Sequence, residues 1–142
     1  MMSKEMEDRQ LWLKVTLLLQ QLGVPAHLSG YYYLRSAIII SYRESNSVSS
    51  VTKLLYPEIA KCFDTTQQKV ERGIRNAIEV GWKNGNPEFF QKEFGYVTGI
   101  GSRRPSNSEY IARIVDYIRM KELEQEMPEI PMRMGLMPMQ AI

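Results

Sequence analysis

Between Asp64 and Trp82 the chain reads DTTQQKVERGIRNAIEVGW, and this stretch does most to limit what it can fold into. Val70, Ile74, Ala77, Ile78 and Gly81 recur in helical steps, with Trp82 at their edge. Gln68, Arg72, Arg75 and Glu79 follow the same steps on the opposite side. A 3.6-residue period with one apolar stripe describes a helix that lies on a core and shows a charged face outward. Asp64, Thr65 and Thr66 are turn and N-cap residues, so the helix is expected from about 66 to about Lys83.

The neighbouring segments are helical by the same reasoning. Leu11, Val15, Leu18, Leu19 and Leu22 form a second apolar row, stopped by Gly23 and Pro25. Ser29 is the expected cap of the next helix, GYYYLRSAIIISY. Its aromatic and β-branched residues would suit a strand. Its length and lack of strict alternation favour a buried helix. RESNSVSS reads as a loop whose last serines could cap the next element. In VTKLLYPEIAKCF, Pro57 suggests a helical turn ending at Tyr56 and a new short helix to about Phe63. Pro87 opens PEFFQKEF, which Gly95 closes. Asn107 or Ser108 is expected to cap a last helix through EYIARIVDYIRMKELEQE. No strand pair or internal repeat stands out. The expected fold is all-α: a compact six-helix domain at 11–126, after a lead at 1–10 and before a Met/Pro-rich, disordered tail at 127–142.

Composition narrows the functions. The 142 residues suffice for one domain with a sizeable core. A net charge of +2 permits a nucleic-acid partner without announcing one. Single cysteine and histidine residues, Cys62 and His27, argue against disulfides, a metal centre and most acid–base machinery. No nucleophile constellation, phosphate-binding loop or dinucleotide fingerprint is present, so neither catalysis nor a cofactor is expected. No run is long enough to span a bilayer, and the start has no apolar signal core, so a cytoplasmic location is expected.

A short helix, a tight polar turn and a longer helix is the helix-turn-helix order, in which the second helix enters the major groove of double-stranded DNA. Its exposed residues suit that task. Arginine can give paired hydrogen bonds to guanine, and glutamate can accept from cytosine. Lysine and threonine suit phosphates. A carboxylate beside Arg72 is costly near phosphates unless it reads a base or orients an arginine. Weak, solvated charge pairs on an ordinary surface helix are the competing explanation.

GVPAHLSGYYYLRSAI, SVTKLLYPEIAKCF, TTQQKVERGIRNAIEVGW, FGYVTG and PSNSEYIARIVDYIR, in that order, resemble the C-terminal DNA-binding domain of the stage-zero sporulation response regulator family. The resemblance covers about Leu17 to Lys121. LLYPEIAK followed by VERGIRNAIEV is its most specific part. It implies a six-helix effector domain that reads a short G/C-containing box. Glu71, Arg72 and Arg75 are then the base readers, with Gln68 beside them. Thr65, Thr66, Lys69, Asn76, Arg103 and Arg104 are expected at phosphates or groove edges. It also implies a head-to-tail dimer on tandem sites, helped by the last helix, and contact with the RNA polymerase sigma factor.

Three departures stand out. Gly73 replaces the usual alanine, which predicts a softer recognition helix. Asn76 replaces the usual histidine. The receiver domain usual in the family is not part of this sequence, which reads either as an excised fragment or as a stand-alone effector domain, the second being favoured. A receiver-free protein-interaction module, contacting the sigma factor or a full-length paralogue through methionines such as Met132, Met134, Met137 and Met139, is the rival.

Among the remaining residues, His27 reads as a capping or packing residue, with a phosphate contact as the alternative. Cys62 reads as a buried or partly buried thiol. Tyr31, Tyr32 and Tyr33 could form a stacking platform, but a helix points them three ways, so packing is the better expectation.

Overall fold

The computed structural model describes residues 3–44 and 51–126, and of residues 51–53 the backbone alone. Of the loop expected at 43–50, Arg43 is helical, and residues 45–50, with the capping serines, lie outside the described residues, as does the Met/Pro-rich tail. Among the described residues all regular structure is helical. Helix α1 spans Lys4–Gln21, α2 Ser29–Arg43, α3 Val51–Cys62 and α4 Gln67–Asn84. A short α5, Pro87–Phe89, runs on as a π-helical turn, Phe90–Phe94, and α6 spans Asn107–Glu126.

Helix α1 begins ahead of its apolar row because Ser3 caps it, accepting from the Met6 N–H at 3.2 Å. Glu5 and Glu7 favour its first turn electrostatically. Arg43 of α2 grips Asp8 at 2.9 Å. These are polar reasons for helix, invisible to a search for apolar periodicity. Ser29 does not cap α2. It is the first helical residue, and Leu28 holds the cap position while packing against the core.

The break expected at Pro57 does not occur, and α3 runs through it. Leu55 and Tyr56 before the proline, and Ile59 and Ala60 after it, are all buried. Both halves must keep one face on the same core, and that burial outweighs the local cost of a proline inside a helix. The cap of α6 is Ser106, not Asn107 or Ser108. The Ser106 Oγ accepts from the Glu109 N–H at 3.2 Å, and the Glu109 carboxylate accepts from the Ser106 N–H at 3.1 Å. This reciprocal capping box was legible as Ser106-x-x-Glu109.

Helix α2 lies at the centre and touches α1, α3, α4 and α6. Its contact with α4 is a backbone approach. A Cβ on Gly30 would sit 1.9 Å from the Gly73 carbonyl oxygen, and one on Gly73 would sit 2.9 Å from the Tyr33 ring. Gly73 therefore has a packing role in addition to its low helix propensity. Alanine at either position would hold α2 and α4 further apart or displace Tyr33. The far end of α4 is closely packed too, where a Cβ on Gly81 or Gly85 would meet the Leu22 carbonyl.

Polar ties finish the assembly on the α6 side. Tyr42 donates to Glu122, which also accepts from Lys14 at 2.9 Å. Tyr117 donates to Glu93 at 2.8 Å. Burial, then the hydrogen bond to a carboxylate, pushes both phenols up to about 12. A folded-state pKa above the unfolded value of about 10 favours the folded state while the phenol stays protonated. That stability is intact below about pH 10 and lost as pH rises toward 12. Urea midpoints measured from pH 8 to 12 are expected to fall over this window, and to fall less steeply in a Tyr42→Phe, Tyr117→Phe double variant. Parallel curves would rule out these phenols as the cause.

Candidate nucleic-acid interface

Helices α3 and α4 are joined by a tight turn. Asp64 ends α3 in the left-handed region at φ 52°, which an aspartate tolerates better than most side chains. The Thr65 N–H returns to the Ala60 carbonyl at 2.9 Å. Thr66 then caps α4, its hydroxyl accepting from the Lys69 N–H at 3.2 Å. Val70, Ile74, Ala77, Ile78, Gly81 and Trp82 are buried, as the apolar stripe required.

That burial turns the opposite face outward. Gln68, Lys69, Arg72, Arg75 and Asn76 are exposed, and Glu71 is half-buried. The side chains of Gln68, Lys69, Arg72 and Asn76 have no hydrogen-bond or ion-pair partner among the described residues. Glu71 and Arg75 pair at 3.0 Å one helical turn apart. Such an exposed pair contributes only about 0.3–0.5 kcal/mol to stability. It also places an acceptor and a donor side by side at fixed spacing, the complement that a base pair presents in the major groove.

Glu79, further along, faces a different partner. Arg104 reaches it at 3.3 Å from the loop before α6, and Lys83 reaches it at 3.5 Å. Arg104 is thus tied to α4, whereas Arg103 beside it is exposed. The same loop is anchored again where the Trp82 indole N–H donates to Ser102 at 3.0 Å. Near the tip of this loop Val97 and Ile100 are exposed. Asn107, expected only as a cap, instead donates from its amide to the Glu71 carbonyl at 3.1 Å and the Tyr56 hydroxyl at 3.0 Å. No sequence signal marks this tie, because it joins three helices distant in the chain.

Two other expectations need correction. Cys62 is exposed rather than buried, in the last turn of α3 beside exposed Phe63. His27 is exposed in the turn between α1 and α2 and does not pack, and α2 has no side-chain cap. The tyrosines diverge as helical geometry requires. Tyr31 is buried, Tyr32 is exposed and Tyr33 packs on Phe63.

Among the described residues no group of three or more His, Cys, Asp or Glu could hold a metal ion, and no helix is long and apolar enough to cross a membrane. The family model for the sporulation initiation factor Spo0A C-terminal domain matches residues 15–118. That span runs from the middle of α1 into α6 and includes the whole α3–turn–α4 unit. The chain belongs to the Spo0A C-terminal family and is a DNA-binding domain of the sporulation transcription regulators.

Proposed function

We propose that this domain reads a specific sequence in double-stranded DNA with α4 in the major groove. Glu71, Arg72 and Arg75 contact base edges and Gln68 flanks them. Thr65, Thr66, Lys69, Asn76 and Arg103 lie toward phosphates and groove edges. Arg104 acts mainly through Glu79, holding the loop against α4. The observation that carries the reading is the outward face of α4. Two arginines and a glutamine project there from a helix whose other face is locked into the core. Glu71, the one carboxylate on the first half of that face, is already engaged by Arg75. Its cost near phosphates is thereby reduced, and its second oxygen can still accept from cytosine.

Family membership supports two further partners: a second copy, head to tail on tandem sites, and the RNA polymerase sigma factor. Met120 and Leu123, each 49% exposed on α6, suit a contact between neighbouring copies.

The test is a gel shift with a duplex chosen by in vitro selection from a randomised library, against the same duplex scrambled, at several salt concentrations. Selective binding that weakens linearly on a log–log salt plot is the expected outcome. Selection that yields no preferred sequence would transfer the case to the rival protein-interaction module.

A further inference from the structure

We propose that Asn107 is a positioning residue for DNA reading, its side-chain amide holding the Glu71 turn of α4 in place from the start of α6. The inference rests on the assignment of α4 as the reading helix. Asn107 Nδ2 donates to the Glu71 carbonyl oxygen at 3.1 Å and to the Tyr56 hydroxyl at 3.0 Å. One amide therefore links α3, α4 and α6 directly beneath the turn that carries Glu71, Arg72 and Arg75.

The remaining contacts of this turn are packing contacts, apolar except for the close approach of the Gly73 backbone to Gly30. Val70 and Ile74, on either side of Glu71, are fully buried. Apolar contact holds a helix down but is non-directional, so it leaves small rotations and slides cheap. A hydrogen bond fixes distance and angle together. The other directional ties between α4 and the rest of the domain, Arg104 to Glu79 and Ser102 to Trp82, lie on its C-terminal half. Near the reading turn, Asn107 alone supplies one among the described residues. Tyr56 orients that amide in turn. Its ring is buried and its hydroxyl occupies the second donor position, so the amide cannot swing away from Glu71.

Base readout depends on geometry to a fraction of an ångström, whereas phosphate contact is more forgiving. Loss of the tie must therefore lower affinity for the selected sequence more than affinity for arbitrary DNA. A purely structural role predicts otherwise. Partial unfolding removes binding-competent protein and lowers both affinities by the same factor, leaving their ratio unchanged.

The decisive variant is Asn107→Asp in the full chain. It keeps size and favours the first turn of α6 electrostatically, but it cannot donate to the Glu71 carbonyl. Tyr56→Phe is the milder second variant, since it removes only the orienting hydroxyl. The readout is the ratio of affinities for the selected duplex and its scrambled control at one salt concentration. The ratio is expected to fall about tenfold for Asn107→Asp, the equivalent of one hydrogen bond, and about twofold for Tyr56→Phe. An unchanged ratio in both variants, or equal losses on both duplexes, overturns the positioning role. If Asn107→Asp does not fold, the Tyr56→Phe ratio decides alone. A wild-type chain that fails to discriminate overturns the reading beneath this inference, and the inference with it.

Discussion

Gly30→Ala is expected to be the most damaging single-atom addition in this domain. A Cβ there would lie 1.9 Å from the Gly73 carbonyl oxygen and 2.5 Å from its carbonyl carbon. Both obstacles are backbone of a helix that is itself packed on α2, α3 and α6, so no side chain can rotate aside. The helices must separate, which opens gaps around Leu34, Ala37, Ile74 and Ala77, all of them fully buried. Overpacking ordinarily costs about 1–3 kcal/mol, and a rigid backbone obstacle puts this case at or above the upper end, about 3 kcal/mol. For a domain of this size that lowers the thermal midpoint by roughly 10 °C. Gly73→Ala supplies the contrast. Its Cβ meets the ring edge of half-buried Tyr33 at 2.9 Å, and a ring can turn. Alanine also raises helix propensity by about 1 kcal/mol, offsetting part of the clash. Thermal and urea unfolding of the two variants should therefore separate them by at least about 2 kcal/mol. Near-equal midpoints would mean that the α2–α4 crossing is looser than its geometry implies.

This crossing marks the boundary of what the chain discloses before it is folded. The apolar rows at Val70–Gly81 and Leu11–Leu22 give helices whose buried faces match the expected residues, because amphipathic periodicity is a local property. The identity of the outward residues of α4 comes with them, since whatever is not on the stripe must face away. Three things stayed hidden for physical reasons. Pro57 suggested a break because its local preference was weighed without the core that spans it. Gly73 read as a weakness because its partner, Gly30, is remote in sequence. Asn107 read as a cap because the Glu71 carbonyl it binds exists as a neighbour only after α3, α4 and α6 have met. Ser106 is a different matter. Its reciprocal bond with Glu109 is local, and the pattern was readable from the sequence alone.

The low net charge bears on how selectivity could arise. At +2 the net charge offers little general attraction for DNA, and few phosphate contacts give weak non-specific binding with a shallow salt dependence. Selective binding then has to come from a few well-placed contacts on α4. Losing one reader should therefore cost far more on the right sequence than on the wrong one.

Arg72→Ala and Lys69→Ala test this separation most directly, because both residues are exposed, lie within one turn of each other and carry the same charge. Arg72 stands on the outward stripe with Gln68 and Arg75, where a guanidinium can give two parallel bonds to guanine. Its loss is expected to cost about 1–3 kcal/mol on the selected sequence, roughly fivefold to over a hundredfold, and to relax preference at one base pair. Scrambled DNA should lose only the small part owed to a charge. Lys69 comes after the Thr66 cap on the flank of that stripe, where an ammonium suits a phosphate. Lys69→Ala should weaken selected and scrambled duplexes alike and reduce the salt slope by about one. Neither substitution touches the core, so thermal midpoints should move little and folding cannot explain the difference. The measurement is a pair of salt titrations for each variant on both duplexes, and then repeated selection with Arg72→Ala. If the two variants lose the same factor everywhere, or if Arg72→Ala keeps the wild-type sequence preference, the outward face of α4 does not read bases as assigned. Binding would then be electrostatic, and the mixed charges of α4 would be an ordinary solvated surface.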